Sequence, residues 1–275
     1  MGDAGRPGRP ALIDPGAYPG LTPTSAVVLV DGRVRTLRPA RTRGPGRWHL
    51  DAGEQRGPAR HPDAVAAPPA GGPSCLDDVL ADAGLAATGD RVPVLAVGSN
   101  ASPAQLHRKF SAAAVSTTVP IVPVTVRDLG IGHSAHVSPA GYVPAAPHLH
   151  RGATARVHLL WLDARQVRAL DATEPNYRSV VLGRRHAARL STGVSVTRCR
   201  LYVSRHRLLA PDGDVLPLTA QHRLLRRLAR HADVAEVLGD VRGSDHLAAD
   251  GILRQRLSAA LGRVRGRPHR LACRV

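Results

Sequence analysis

From Val92 to Val203 the chain is a succession of short apolar and β-branched runs divided by turn residues, with only two helical segments among them. That pattern constrains the fold more than any other feature, because strands and helices need different apolar periods. The first run, Pro93-Val94-Leu95-Ala96-Val97, is apolar throughout and stops at Gly98-Ser99-Asn100. It predicts a buried strand entering a polar turn. Pro103 suits the first turn of a helix reaching about Phe110, with Ser102 as its N-cap. Further β-type runs cover Val119–Val126, Ile131–Val137, Tyr142–Ala146, Ala155–Trp161, Ser179–Ala187 and Val194–Val203. Between the fourth and fifth of these, Asp163 caps a short helix that turns Val167 and Leu170 inward. Many short strands with two short helices predict an α+β fold centred on a small mixed β-barrel, closed or nearly so.

The flanks read differently. Residues 1–24 are Gly/Pro-rich and loosely held. Ser25–Val30 and Arg33–Leu37 flank Asp31-Gly32, whose positive φ makes a tight hairpin turn. Residues 39–74 have a linker's composition, and Ser74 then caps a short helix from Leu76 to Leu85. Thr219 begins an amphipathic helix with Leu224, Leu225, Leu228 and Ala232 on one side, and a second helix follows from His246 to Leu261. The expected organisation is an N-terminal extension (1–90), a barrel (91–210) and a helical C-terminal extension packed on it (211–275).

Composition narrows the function class. No apolar run approaches the roughly 18 residues of a membrane span, so no membrane association is expected. Cys75, Cys199 and Cys273 are far apart and lack metal-ligand spacing, which argues against disulfides and zinc and for a reducing cytoplasm. The net charge of +17 invites a nucleic-acid reading. Yet residues 1–90 are balanced, and the excess centres on Arg184, Arg185, Arg189, Arg198, Arg200, Arg205 and Arg207. Aromatics are only 3%, too few for base-stacking platforms, and Lys109 is the sole lysine in an Ala/Arg/Gly/Pro-biased chain. The charge therefore reads as compositional, or as steering for a small anionic substrate.

Two features can carry chemistry. The Gly98-Ser99-Asn100 turn exposes backbone N–H groups that can bind a carboxylate or a developing oxyanion. Glu174, one of two glutamates after residue 91, lies between a capped helix and a strand. There it is either a carboxylate aimed into a barrel mouth for proton transfer or an exposed partner of Arg178. Histidine pairs give no complete metal site. His148 and His150 share a strand face, His133 and His136 do not, and no acid or cysteine completes either pair. Cys199 and Trp161 read as core.

Taken together, Val97-Gly98-Ser99-Asn100, Leu170-Asp171-Ala172-Thr173-Glu174, Tyr177 and Cys199-Arg200-Leu201-Tyr202 form an ordered set. With Gly141–Ala145 and Val157–Asp163 between them, they resemble the gamma-glutamylcyclotransferase-like family over residues 92–204. The resemblance implies a small β-barrel with a cavity at the Gly-Ser-Asn loop. It also implies intramolecular aminolysis of a γ-glutamyl amide or amine to 5-oxoproline, without metal or organic cofactor. By the same resemblance Glu174 is the acid/base residue, while Val97, Gly98, Ser99, Asn100, Tyr177 and Tyr202 contact a small γ-glutamyl substrate. Val97 stands where the family carries a tyrosine, which removes one hydroxyl from the expected site. The alternative is a small-molecule-binding or interaction domain without catalysis, with nucleic-acid binding behind it.

Overall fold

The computed structural model describes residues 18–40, 44–51, 75–241, 245–271 and 273–274. β1 (Val27–Val30) and β2 (Arg33–Arg38) form a hairpin in which Asp31 and Gly32 both adopt positive φ, 45° and 77°. Most of the stretch with linker composition, and Ser74, lie outside the described residues. Its described part is not loose: β3 (His49–Leu50) pairs with β2, and Trp48 beside it is fully buried. α1 (Leu76–Asp82) starts at Cys75, whose N–H donates to the Asp78 carboxylate at 3.1 Å.

β4 (Val92–Ala96) leads into a 3-10 turn, Ser99–Ala101, and α2 (Pro103–Ala112). The four runs expected next are two long strands, β5 (Val119–His133) and β6 (Ala145–Leu162). What reads as a break is a bulge. The register shifts between Arg127 and Leu129, Asp128 takes φ 55°, and its carboxylate accepts the Gly152 N–H at 2.8 Å across the pair. Tyr142 is not in a strand; it sits in the turn before β6, after Gly141 at φ 86°.

α3 (Ala164–Ala172) is held by the Asp163–Gln166 capping box. β7 (Tyr177–Leu182), β8 (Ala188–Arg189), β9 (Ser195–Val196) and β10 (Arg200–Ser204) follow. β11 (Leu208–Leu209) precedes the helices α4 (Gln221–Leu228), α5 (Ala232–Gly239), α6 (His246–Ala249) and α7 (Gly251–Arg263). The single helix expected from His246 is split because the Asp250 side chain caps a new one through the N–H groups of Ile252 and Leu253. β12 (Gly266–Arg267) pairs with β11, and β13 (Cys273–Arg274) with β7.

The architecture is α+β, built on one large, mostly antiparallel sheet of order β13-β7-β10-β4-β6-β5-β1-β2-β3, with β8 on β5 and β9 on β8. Only β10 and β4 run parallel. The expected barrel is not formed: the sheet is open. Closure of the strands within 91–210 would require β7 to meet β5. Instead β13 takes the edge of β7, while β1 and β8 take that of β5.

At β4 both faces of the sheet are covered, which explains its uninterrupted apolar run. Val94 and Ala96 face α2 and α3, along with Leu160, Leu106, Phe110 and Leu170. Leu95 faces the other way, with Leu159, Trp161, Trp48 and Leu76. A third cluster joins the C-terminal helices to the β5–β6 connection through Val137, Val143, Leu224 and Leu257. Among the described residues no helix is long and apolar enough to cross a membrane.

Candidate active site

The element that aims the site is α3. Buried Arg91, just before β4, donates to the carbonyls of Ala86, Thr118 and Trp161 and to Gln166 Oε1. Gln166 in turn donates to Ser116 O at 2.7 Å. This clamps the N-terminal turn of α3 to the sheet, so its C-terminal end projects Glu174 over the β4 turn. Tyr177 N–H then donates to Glu174 O at 3.0 Å, fixing the step into β7.

A cavity of about 460 Å³ opens there. Val97, Gly98, Ser99, Asn100, Glu174, Tyr177 and Tyr202 all line it. Asn100 Nδ2 donates to Glu174 Oε1 at 2.9 Å across 74 sequence positions. Glu174 does not pair with Arg178. Its partner is Lys109 from α2, whose Nζ lies 2.8 Å from Glu174 Oε1 and 2.8 Å from Asn100 Oδ1. Asn100, Lys109 and Glu174 thus close a ring of hydrogen bonds. Both charged side chains are largely buried, 10% exposed for Lys109 and 13% for Glu174. Glu174 Oε2 makes no hydrogen bond among the described residues, so one carboxylate oxygen is left to the cavity.

Gly98 is required by close approach rather than by φ: a Cβ there would collide with the Tyr18 hydroxyl oxygen. Tyr18 comes from the N-terminal stretch expected to be loose, yet it is 5% exposed and stacks on Tyr142, ring centroids 4.0 Å apart. Its hydroxyl accepts the Ala145 N–H at 2.8 Å. Tyr177 donates its hydroxyl to Ala145 O at 3.0 Å, so two tyrosines pin both backbone groups of one residue. Tyr202 turns its hydroxyl to Asp171 Oδ1 at 2.6 Å, which leaves the ring, not the oxygen, against the cavity. Burial, reinforced by the Glu174 charge, raises the pKa of all four tyrosines. They are neutral donors at physiological pH.

His136 also lines the cavity. Burial, then neighbouring His206, pushes its pKa down to about 3, so it is neutral. Its Nδ1 meets Ser134 Oγ at 2.8 Å, and Ser134 Oγ meets Ser204 Oγ at 2.6 Å. His133 points elsewhere, with Thr219 N–H donating to its Nε2 at 3.0 Å. His148 and His150 do stack on one face, 5.8 Å between centroids. Among the described residues no three His, Cys, Asp or Glu side chains converge as metal ligands. Cys199 is core, and burial pushes its thiol up to about 11.

Lys109, Tyr18, Tyr142, His136 and Asn176 escaped sequence reasoning, although a signal was present. The chain has four tyrosines, two asparagines and one lysine, and all seven line this cavity. A composition that avoids these residue types elsewhere concentrates them here.

No protein-family model matches the chain, and no curated protein does. Solved structures similar to it include two of low sequence identity. One is described as gamma-glutamyl cyclotransferase, with 12% identity, a TM-score of 0.37, and coverage of 65% of this chain and 90% of that one. The other is an uncharacterized protein from Homo sapiens, with 13% identity, a TM-score of 0.34, and coverage of 42% and 68%.

Proposed function

We propose that the chain is a gamma-glutamylcyclotransferase-like enzyme that cyclises a γ-glutamyl amide or amine to 5-oxoproline and releases the amine. The observation that carries this reading is the meeting of Glu174 with the Gly98–Asn100 turn in one cavity, through the 2.9 Å bond from Asn100. The substrate holds both nucleophile and electrophile, so the protein has mainly to fold it into a ring-closing conformer. Glu174, paired with Lys109 through Oε1, takes a proton from the substrate ammonium through its free Oε2. The resulting amine attacks the γ-carbonyl carbon, forming the ring C–N bond and an oxyanion. The amide C–N bond then breaks as the leaving nitrogen is protonated. In all, two protons leave the substrate nitrogen and the departing ammonium carries both, with Glu174 as the shuttle. Lys109 and the neutral Tyr18 hydroxyl suit the oxyanion. Tyr18 supplies the hydroxyl that Val97 lacks, since its oxygen accepts the Ala145 N–H and its proton remains to donate.

The test is incubation with a panel of γ-glutamyl amines, amides and peptides, with 5-oxoproline and free amine measured by mass spectrometry. Equimolar release of the two supports the reading; no 5-oxoproline from any compound overturns it. The Asn100–Lys109–Glu174 ring favours a second reading, a cavity that holds a small zwitterion without turning it over. Saturable binding of a γ-glutamyl compound without product selects that reading.

A further inference from the structure

We propose a second binding site, on the exposed face of the sheet where β5, β6, β8 and β9 meet, that takes a phosphate group. Strand register builds it. Thr125 opposes Arg156 on one side and Arg189 on the other, and Arg189 opposes Ser195. Directly opposed residues share a face, so these four form a row across four strands. Arg127 and Thr154 oppose each other two positions along, on that same face. The intervening Val124, Val126, Val157 and Ala188 point into the core. Arg185 arrives from a 3-10 turn tied to β5 by His186 Nδ1–H donating to Arg127 O at 3.1 Å.

The result is a cleft of about 400 Å³ lined by three guanidiniums and three hydroxyls, from Arg127, Arg185, Arg189, Thr125, Thr154 and Ser195. Among the described residues no carboxylate lines it. Elsewhere Arg38, Arg200, Arg227, Arg256, Arg263 and Arg267 each face an aspartate. Arg127, Arg185 and Arg189 have no such partner among the described residues. Like charges on neighbouring strands repel, and a bound dianion removes that repulsion. Guanidinium forks match phosphate oxygens in geometry, and the hydroxyls add neutral donors. No aromatic ring lines the cleft, so recognition is of the phosphate rather than of a base. The site owes nothing to the cyclisation reading.

Calorimetric titration of the full chain at low salt tests it, with inorganic phosphate and separately a short DNA duplex as probes. The variants are Arg189→Gln and Arg185→Gln, with Arg256→Gln as a charge-matched control; melting curves check that all are folded. Each cleft variant is expected to weaken binding about tenfold to a hundredfold, the worth of one charge-assisted hydrogen bond, and the control to change little. Saturable one-site binding of inorganic phosphate supports the proposal with a small phosphate ligand as the source. Binding of the duplex alone, with steep inverse salt dependence, supports it with a nucleic-acid backbone as the source. Absence of binding by either probe, or equal weakening by the control, overturns it.

Discussion

The tyrosine-lined cavity and the arginine cleft treat charge in opposite ways. In the cavity Lys109 and Glu174 hold each other at 2.8 Å with Asn100 bridging both, and Arg108 is the one further charged group among the lining residues. In the cleft three guanidiniums stand near one another with no counter-charge. The difference follows from burial: a charge taken out of water needs a partner, whereas an exposed guanidinium is solvated. Proton transfer needs the first kind of environment and capture of an anion from solution needs the second.

The comparison can be broken by removing one charge from each region. Lys109→Met strands the Glu174 carboxylate, and we expect a loss of about 3 kcal/mol in chemical denaturation. Glu174→Gln together with Lys109→Met should recover most of it; an unchanged midpoint in the single variant would show that water, not Lys109, satisfies the carboxylate. Gly98→Ala drives a Cβ into the Tyr18 hydroxyl and should cost about 1–3 kcal/mol. Tyr18→Phe in that background should cost less than it does alone, and strict additivity would contradict the contact.

Acid adds a further test through three buried histidines, of which His136 lines the cavity. Burial holds His133 at about 4, His136 at about 3 and His148 at about 4, all below the unfolded value of 6.5. Below 6.5 the unfolded chain binds these protons and the folded chain does not, so stability is full above that pH and falls as pH drops toward 4. The slope is about 1.4 kcal/mol per pH unit for each group. His136→Gln should remove one group's share; a flat profile between pH 6.5 and 4.5 would contradict the burial. The smallest effect belongs to the cleft, where Arg189→Gln should leave the midpoint unchanged or raise it slightly as repulsion is relieved. A loss comparable to that of Lys109→Met would mean that the cleft charges are structurally paired.

Sequence periodicity revealed the hairpin at Asp31-Gly32, the β4–turn–α2 unit and the Asp163 cap, because each rests on contacts within a few residues. It divided β5 and β6 into four, since Asp128 and Gly152 look like breaks until their cross-strand bond is known. It placed a closed or nearly closed barrel where the sheet is open, since β13, β1 and β8 occupy the edges of β7 and β5 that closure would join. Order of motifs brought Glu174 and the Gly-Ser-Asn turn together on paper. Tyr18 could not be found that way, because a tyrosine in a Gly/Pro-rich stretch carries no period. Lys109 could have been, from its solitude in the composition.

The central claim is that Glu174 moves the protons of a ring closure inside this cavity. The most direct measurement compares wild type with Glu174→Gln on one γ-glutamyl compound, following binding by calorimetry and 5-oxoproline release by mass spectrometry. The account predicts that the variant still binds while turnover falls about 10²–10⁴-fold, the usual worth of a positioned acid/base group. Undiminished 5-oxoproline release by the variant would contradict it.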